Sequence, residues 1–319
     1  MTLNRLLIPF MLCTVLIGCG PSEIELVKKE VDSNLVAANN ALKSLTSNLQ
    51  SSRLRNASLL PSYASAAKEN KPEFSQIIDT LASEGTTSGP TFLAIENRLK
   101  EASQGVTRGV DSVPVGSALN LELLNIQTAI ANYDAMLVDP LNMLADFSDG
   151  RLPKLREIEF ESGNATKGAV GSEYVGNSNY GEWRSDSRGN SFWHWYGQYA
   201  FFSTMFGNRP VYYDSWSGNR RASYYHDRNR GAYSSPRARK NQTDTLNRTK
   251  KSYTAKGKAF KSPYSKNTRI KGVANSSKNS SVSKPFRSSY AKTGSSSKSY
   301  KSGYNSRSTG SRRSSFGGK

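Results

Sequence analysis

LNLELLNIQTAIANYDAMLVDPLNML, residues 119–144, is the stretch that decides the fold. Large apolar side chains recur in it every three or four residues, at Leu119, Leu123, Ile126, Ile130, Tyr133, Leu137, Leu141 and Leu144. Because an α-helix has about 3.6 residues per turn, this spacing places them on one face and predicts a helix over residues 118–144. Ser117 is the expected N-cap, and Pro140 is expected to kink or interrupt the helix.

A second stripe with the same spacing precedes the first, at Ile24, Val31, Leu35, Ala38, Leu42, Leu45 and Leu49. Two shorter helix candidates, residues 72–83 and 90–102, lie between the stripes and are separated by a loop at residues 85–89. We therefore predict a mainly α fold, a small helical bundle over residues 19–150 in which the two long helices pair antiparallel. Its apolar residues are expected to be core, and no cofactor is indicated.

Residues 151–233 form an aromatic and glycine-rich segment that holds all four tryptophans, Trp183, Trp193, Trp195 and Trp216. Residues 191–206 are strongly apolar and could form one helix, which would be too short to span a ~30 Å hydrocarbon core. Two interpretations stay open. Either the aromatic side chains fill a core against the bundle, or Trp193, Trp195 and Phe202 form an exposed docking patch for a protein partner or a membrane interface.

The charge of the chain is concentrated in its C-terminal part. Up to Asp244, 25 acidic residues balance 25 Lys and Arg, whereas residues 245–319 hold 19 Lys and Arg and no acid. A polar block with one sign of charge repels itself and buries little surface, so we predict a disordered tail over residues 234–319.

A theme of a basic residue, serine and tyrosine recurs in this tail, as in Lys251-Ser252-Tyr253, Lys261-Ser262-Pro263-Tyr264, Arg287-Ser288-Ser289-Tyr290, Lys298-Ser299-Tyr300 and Lys301-Ser302-Gly303-Tyr304. Cations release counterions from polyanions, and tyrosine can stack on planar groups. The candidate polyanion-binding residues are Lys250, Lys251, Lys256, Lys258, Lys261, Arg312 and Arg313. The alternative is a solvated spacer that binds nothing specific.

Little in the sequence points to catalysis or to a metal. The chain has two histidines, His194 and His226, and neither has a nucleophile placed near it in sequence. We expect His194 to be partly buried among the aromatic side chains and His226 to lie at the surface. Only two cysteines occur, Cys13 and Cys19, so neither a thiolate metal site nor a catalytic thiol is expected.

Leu16-Ile17-Gly18-Cys19 follows the apolar residues 6–15 and resembles the lipobox of bacterial lipoproteins. The resemblance implies that residues 1–18 are a signal peptide that is removed before Cys19. It further implies a diacylglycerol on the Cys19 sulfur and acylation of the new amino group, which hold the protein on a membrane. Gly20 stands where an aspartate would suggest retention in the inner membrane, so the resemblance favours the periplasmic face of the outer membrane.

Together these features favour a non-enzymatic envelope lipoprotein whose cationic tail tethers an anionic envelope polymer or lipid. Lipopolysaccharide, acidic phospholipid and cell wall are the candidate ligands, and nucleic acid is one only if the protein is exposed at the cell surface. An adaptor or assembly lipoprotein that docks a protein partner through its aromatic segment is the alternative. An enzyme acting on envelope material is a third hypothesis, with no catalytic constellation to support it.

Overall fold

The structure is a computed structural model that describes residues 21–155 and 168–264. In these ranges the chain is mostly helical, with ten α-helices and one two-stranded sheet, which confirms the prediction of a mainly α fold. The expected signal peptide, Cys19, residues 265–319 and the candidate residues Arg312 and Arg313 lie outside the described residues. None of the described helices is both long enough and apolar enough to cross a bilayer.

Seven helices make up the bundle: α1 (Glu23–Gln50), α2 (Arg55–Asn70), α3 (Ser75–Ser83), α4 (Pro90–Arg108), α5 (Val113–Ala131), α6 (Tyr133–Met136) and α7 (Val138–Phe147). A 3-10 turn at Pro72–Phe74 leads from α2 into α3. The bundle core contains fully buried aliphatic side chains from several helices, among them Leu60, Ile78, Leu81, Ile95, Leu123, Ile126 and Leu137.

α1 begins at a capping box. The Ser22 hydroxyl accepts a hydrogen bond from the Glu25 N–H, and the Glu25 carboxylate accepts one from the Ser22 N–H at 2.9 Å. These bonds satisfy donors that the first turn of a helix leaves free. Four of the predicted stripe residues are buried on one face of the helix, Val31, Ala38, Leu45 and Leu49.

α1 and α5 run in the same direction, so the predicted antiparallel pairing of these two helices is wrong. Near their starts, Gly116 lies so close to Val27 that a Cβ on the glycine would be 2.2 Å from Val27 Cγ1. Just beyond their ends, the Asn56 N–H donates to Oδ1 of Asp134 at 2.9 Å.

The antiparallel neighbour of α5 is α4. The end of α4 meets the start of α5 where Gly105 approaches Leu119, and farther along Arg98 pairs with Glu122. Only residues 109–112 separate the two helices, and so short a connection makes consecutive helices pack antiparallel.

The structure divides the predicted helix over residues 118–144 into α5, α6 and α7, with breaks at Asn132 and Leu137. The apolar stripe still faces the core, because seven of its eight residues are buried: Leu123, Ile126, Ile130, Tyr133, Leu137, Leu141 and Leu144. Pro140 lies in the first turn of α7, which confirms that it interrupts the helix. Ser117 is not the cap, because α5 already begins at Val113 with Pro114 in its first turn.

Residues 168–233, which we call the aromatic module, contain the sheet, in which β1 (Gly181–Ser185) pairs antiparallel with β2 (Ser191–Trp195). A 3-10 helix at Gly197–Phe206, α8 (Tyr213–Asn219), a π-helical turn at Tyr225–Asn229 and α9 (Arg230–Tyr233) follow. The single helix expected over residues 191–206 is therefore wrong. Aromatic side chains favour strands, and alternate residues of β2 point into the core.

The predicted disorder from residue 234 onward is wrong for residues 234–264. Residues Pro236–Ala255 form α10, with Ser235 as its N-cap and Pro236 at its first position. The helix presents Gln242, Thr245 and Thr249 inward. That inward face is polar, so the apolar periodicity that predicts an amphipathic helix is absent.

Candidate functional site

The tryptophans of the aromatic module pack into one cluster. The Trp183 ring lies 5.1 Å from that of Trp193 and 5.2 Å from that of Trp216, measured between centroids. Trp195 stacks on Phe202 at 5.1 Å and meets Trp193 edge to face at 5.8 Å. Such stacked and edge-to-face pairs add stability beyond the area that they bury.

The proposed docking patch is part of this core. Trp193, Trp195 and Phe202 are 5, 8 and 0% exposed, so they present almost no surface to a partner. Of the two interpretations of the aromatic segment, the structure supports the core, and a docking patch made of these three residues is wrong.

Residues 236–264, which we call the basic arm, comprise α10 and the nine residues after it. Two amides of α10 attach it to the aromatic module. The Gln242 side chain donates to the Gly176 carbonyl at 3.2 Å, and the Asn241 side chain donates to the Trp183 carbonyl at 3.3 Å. Farther along α10, the Tyr253 hydroxyl donates to the Asp214 carboxylate at 3.0 Å.

An ion cluster attaches the basic arm to the bundle as well. Arg239 of α10 and Arg98 of α4 contact the two oxygens of the Glu122 carboxylate on α5, at 2.9 and 2.7 Å. The Arg98 side chain also donates to the carbonyl of Ala232, just before the arm begins. The arm is thus held by the bundle on one side and by the aromatic module on the other.

The basic arm carries nine Lys and Arg but one acid, Asp244, which pairs with Lys240 at 2.6 Å. Five of the predicted polyanion-binding residues lie on it. Lys250 is half-buried, whereas four are exposed at or beyond the end of α10, namely Lys251, Lys256, Lys258 and Lys261. The structure therefore brings these four charges onto one short stretch of a folded surface.

Beyond α10 the chain folds back on the aromatic module through two rings. Phe260 lies 6.3 Å from Tyr213 and 5.1 Å from Tyr253. Tyr264 stacks on Trp216 at 6.0 Å, and the guanidinium groups of two arginines lie over its ring, that of Arg220 at 5.0 Å and that of Arg230 at 4.3 Å. We call the surface formed by Tyr213, Trp216, Arg220 and Arg230 the aromatic socket.

Three buried carboxylic acids, which the sequence analysis did not single out, lie at the junction between the bundle and the aromatic module. Glu84 accepts hydrogen bonds from the Tyr180 hydroxyl and from the Thr91 hydroxyl, the latter at 2.9 Å. Burial raises the pKa of Glu84, and the bonds from Tyr180 and Thr91 offset part of that shift.

The other two buried acids have pKa values near neutrality. Burial raises the pKa of Asp139 to about 6, although this carboxylate accepts bonds from the Ser223 hydroxyl at 2.8 Å and the Tyr224 N–H at 2.9 Å. Burial also raises the pKa of Glu173 to about 7, with Asp139 adding to the shift and Arg221 opposing it. Glu173 lies in a turn segment without periodicity, and Asp139 is a charged residue in the first turn of α7, so the apolar pattern of the sequence assigns neither to the interior.

His194 is partly buried, as predicted, but the predicted surface position of His226 is wrong. His194 lies on β2 opposite Glu182 and is partly exposed, while His226 is buried between Trp216 and Tyr225. Burial lowers the pKa of His226 well below its ordinary value, and Arg220 and Arg230 add to the effect because they repel an imidazolium. His226 is therefore a neutral core residue at physiological pH.

The described residues combine a cationic surface with ionisable side chains that are buried in the interior. Among them no group of three or more His, Cys, Asp or Glu side chains converges as metal ligands would. The charged groups accessible to an external ligand on the basic arm are mainly ammonium and guanidinium groups, which bind anions by charge. Searches for relatives found no matching family model, no similar characterised protein and no similar solved structure.

Proposed function

We propose that this protein is a lipid-anchored envelope protein, attached through Cys19, that binds anionic envelope polymers or lipid through its C-terminal cations. The observation that carries the proposal is the position of Lys251, Lys256, Lys258 and Lys261. They are exposed together on an arm that the fold holds in place, in a part of the chain that has no acid after Asp244.

The start of α1 supports the anchoring step. Cys19 precedes Glu23, the first residue of α1, by four residues, and the Ser22–Glu25 capping box fixes where the helix begins. An extended chain spans at most about 3.6 Å per residue, so lipid on Cys19 would hold the bundle within roughly 15 Å of the membrane surface. Two or three acyl chains suffice for stable attachment without a spanning helix.

The distribution of charge supports the binding step. Residues 265–319 add 13 Lys and Arg and no acid to the net charge of +8 on the basic arm (nine Lys and Arg, one Asp). Binding by such a block is driven by counterion release and has a steep salt dependence. Lipopolysaccharide, acidic phospholipid and cell-wall polymer all offer the phosphate or carboxylate groups that this requires.

Labelling with a palmitate analogue tests the anchor. We expect the full chain to incorporate the label and to fractionate with membranes, and we expect Cys19→Ser to lose both properties. Cys13→Ser is the matched control, because Cys13 lies within the segment expected to be removed. A Cys19→Ser protein that stays equally membrane-bound would overturn the anchor.

Charge neutralisation tests the binding step. Replacing Lys251, Lys256 and Lys258 with Gln should weaken retention on lipopolysaccharide or on vesicles with phosphatidylglycerol and lower the salt slope of log K by about one per lysine. The matched control replaces three exposed bundle lysines, Lys28, Lys43 and Lys100, with Gln. Equal losses in the two variants would show that net charge alone acts, and no loss in either would exclude the arm as the binding surface.

A further inference from the structure

The segment docked in the aromatic socket is Phe260-Lys261-Ser262-Pro263-Tyr264, and its pattern is aromatic, basic, serine, any residue, tyrosine. Both of its aromatic side chains reach the socket: Phe260 packs beside Tyr213, and Tyr264 stacks on Trp216. The serine has a role in the docked shape, because its hydroxyl accepts a hydrogen bond from the Tyr264 N–H at 3.2 Å. That bond closes a local turn, which brings the two aromatic rings of the motif to the same surface.

Two side chains of the socket are held in place by bonds to residues outside the docked segment. Trp216 is fixed by a hydrogen bond from its indole N–H to the Ser172 carbonyl at 2.8 Å. The Arg220 guanidinium, whose side chain is 2% exposed, is held by both oxygens of Asp227. A planar cation held in this way offers a ring the favourable face-on contact without losing further side-chain entropy.

The same five-residue pattern occurs twice more in the chain. Phe286-Arg287-Ser288-Ser289-Tyr290 matches the docked segment at the aromatic, basic, serine and tyrosine positions, and Tyr300-Lys301-Ser302-Gly303-Tyr304 matches with tyrosine in place of phenylalanine. The fourth position is Pro, Ser or Gly, which are residues that fit a turn. The chain therefore contains one socket and three segments with the chemistry to fill it.

We infer that the aromatic socket is a binding site for this motif and that residues 286–290 of a second copy of the chain dock there in exchange for residues 260–264. A chain with one socket and more than one matching segment can link to its neighbours. On a membrane, where copies are concentrated in two dimensions, such weak links act together. Docking of the motif in the socket rests on the aromatic contacts, whereas the concentration of copies on a membrane rests on the proposed lipid anchor.

Peptide binding tests the socket directly. The protein is the full chain with alanine at the aromatic positions of all three motif copies, so that no segment of its own competes. The probe is a fluorescent peptide of residues 284–292, followed by anisotropy. We expect saturable binding of this peptide. A peptide with Phe286→Ala and Tyr290→Ala has the same charge and should bind at least tenfold more weakly. Equal binding of the two peptides would reduce the contact to electrostatics and overturn the inference.

A substitution in the socket provides a second test. Arg230→Gln removes the cation nearest to the Tyr264 ring but lies at a partly exposed position, so the fold should persist. We expect at least tenfold weaker peptide binding, whereas Arg237→Gln, an exposed arginine of α10, should leave it unchanged. If Arg230→Gln binds the peptide as well as the parent does, the socket is not the site.

Sedimentation of the full chain in detergent decides whether the occupant comes from a second copy. We expect concentration-dependent association that is lost when Phe286 and Tyr290 are replaced with alanine. If the chain binds the peptide but sediments as a monomer at all concentrations, docking occurs only within one molecule. That result would overturn the exchange between copies.

Discussion

Arg239 of α10 donates from its guanidinium to the Glu122 carboxylate of α5 at 2.9 Å, across 117 residues of sequence. The other oxygen of the same carboxylate contacts Arg98 at 2.7 Å. The side chains of Glu122 and Arg98 are 10 and 6% exposed, so two cations share one anion in a nearly dry environment. The basic arm is joined to the bundle at this point, and its displacement would break the Arg239–Glu122 ion pair while leaving Arg98 paired with Glu122.

Glu122→Gln should therefore be strongly destabilising. The substitution leaves Arg98 buried without a counter-ion, which costs about 3–5 kcal/mol of unfolding free energy. Urea denaturation followed by circular dichroism measures the loss. Glu101→Gln, an exposed glutamate on α4, is the control and should change stability by less than about 0.5 kcal/mol. Similar midpoints for the two variants would show that the ion cluster does not stabilise the fold.

Glu173 should make the protein less stable as the pH rises. The folded chain keeps this carboxyl protonated up to a pKa of about 7, whereas its ordinary value is 4.5. Between these values the folded state binds more protons than the unfolded state, so the free energy of unfolding falls with increasing pH. Glu173→Gln mimics the protonated acid, and we expect it to exceed the parent in stability by about 2–3 kcal/mol at pH 8.

The same variant should match the parent near pH 4, where both states of the parent are protonated at this site. The two proteins share the other titrating groups, of which Asp139 interacts with Glu173 and His226 does not contribute to its shift. Asp139, with a pKa of about 6, shifts stability in the same direction as Glu173, and His226, with its lowered pKa, destabilises the fold as the pH falls below 6.5. A stability difference between Glu173→Gln and the parent that is constant from pH 4 to pH 8 would contradict a raised pKa at Glu173.

The predictable part of this fold is the part with apolar periodicity. The stripe from Leu119 to Leu144 faces the core even where the helix breaks at Asn132, because side-chain spacing fixes which face is buried. The relative direction of α1 and α5 was not predictable in the same way. The short connection at residues 109–112 makes α4 the antiparallel neighbour of α5, and stripe spacing contains no information about the direction in which α1 packs beside them.

The composition of the chain led to a wrong prediction of disorder where polar residues face inward. α10 packs through Gln242, Thr245 and Thr249, so its sequence resembles that of a solvated tail. The local signal that would have located it is Ser235-Pro236, a capping serine followed by proline at the first helical position. The exposed lysines of the basic arm were predictable as single residues, but not their attachment to a folded surface.

Gly176 should tolerate no side chain. Its φ of +85° is unfavourable for other residues, and a Cβ would lie 2.9 Å from Trp216 and 3.0 Å from His226. Gly109 has a φ of +100° but no neighbour within 4 Å of the same position, so it isolates the backbone cost. We expect thermal unfolding to show that the free energy of unfolding falls by about 1–2 kcal/mol in Gly109→Ala and by roughly 3 kcal/mol or more in Gly176→Ala. Equal losses of unfolding free energy in the two variants would mean that the side chains around Gly176 move to accommodate the added methyl group.

Two truncations test how much the basic arm contributes to the stability of the fold. All four tryptophans lie in the aromatic module, so their fluorescence reports on the surface that α10 and Tyr264 cover. A chain ending at residue 264 should keep the emission maximum and the unfolding midpoint of the full chain. A chain ending at residue 235 loses the bond from Asn241 to Trp183 and the ring stacked on Trp216, and its emission should shift to the red with a lower midpoint. If the shorter chain unfolds at the same urea concentration as the longer one, the basic arm adds no stability to the fold, and its lysines act from a segment that is only loosely held.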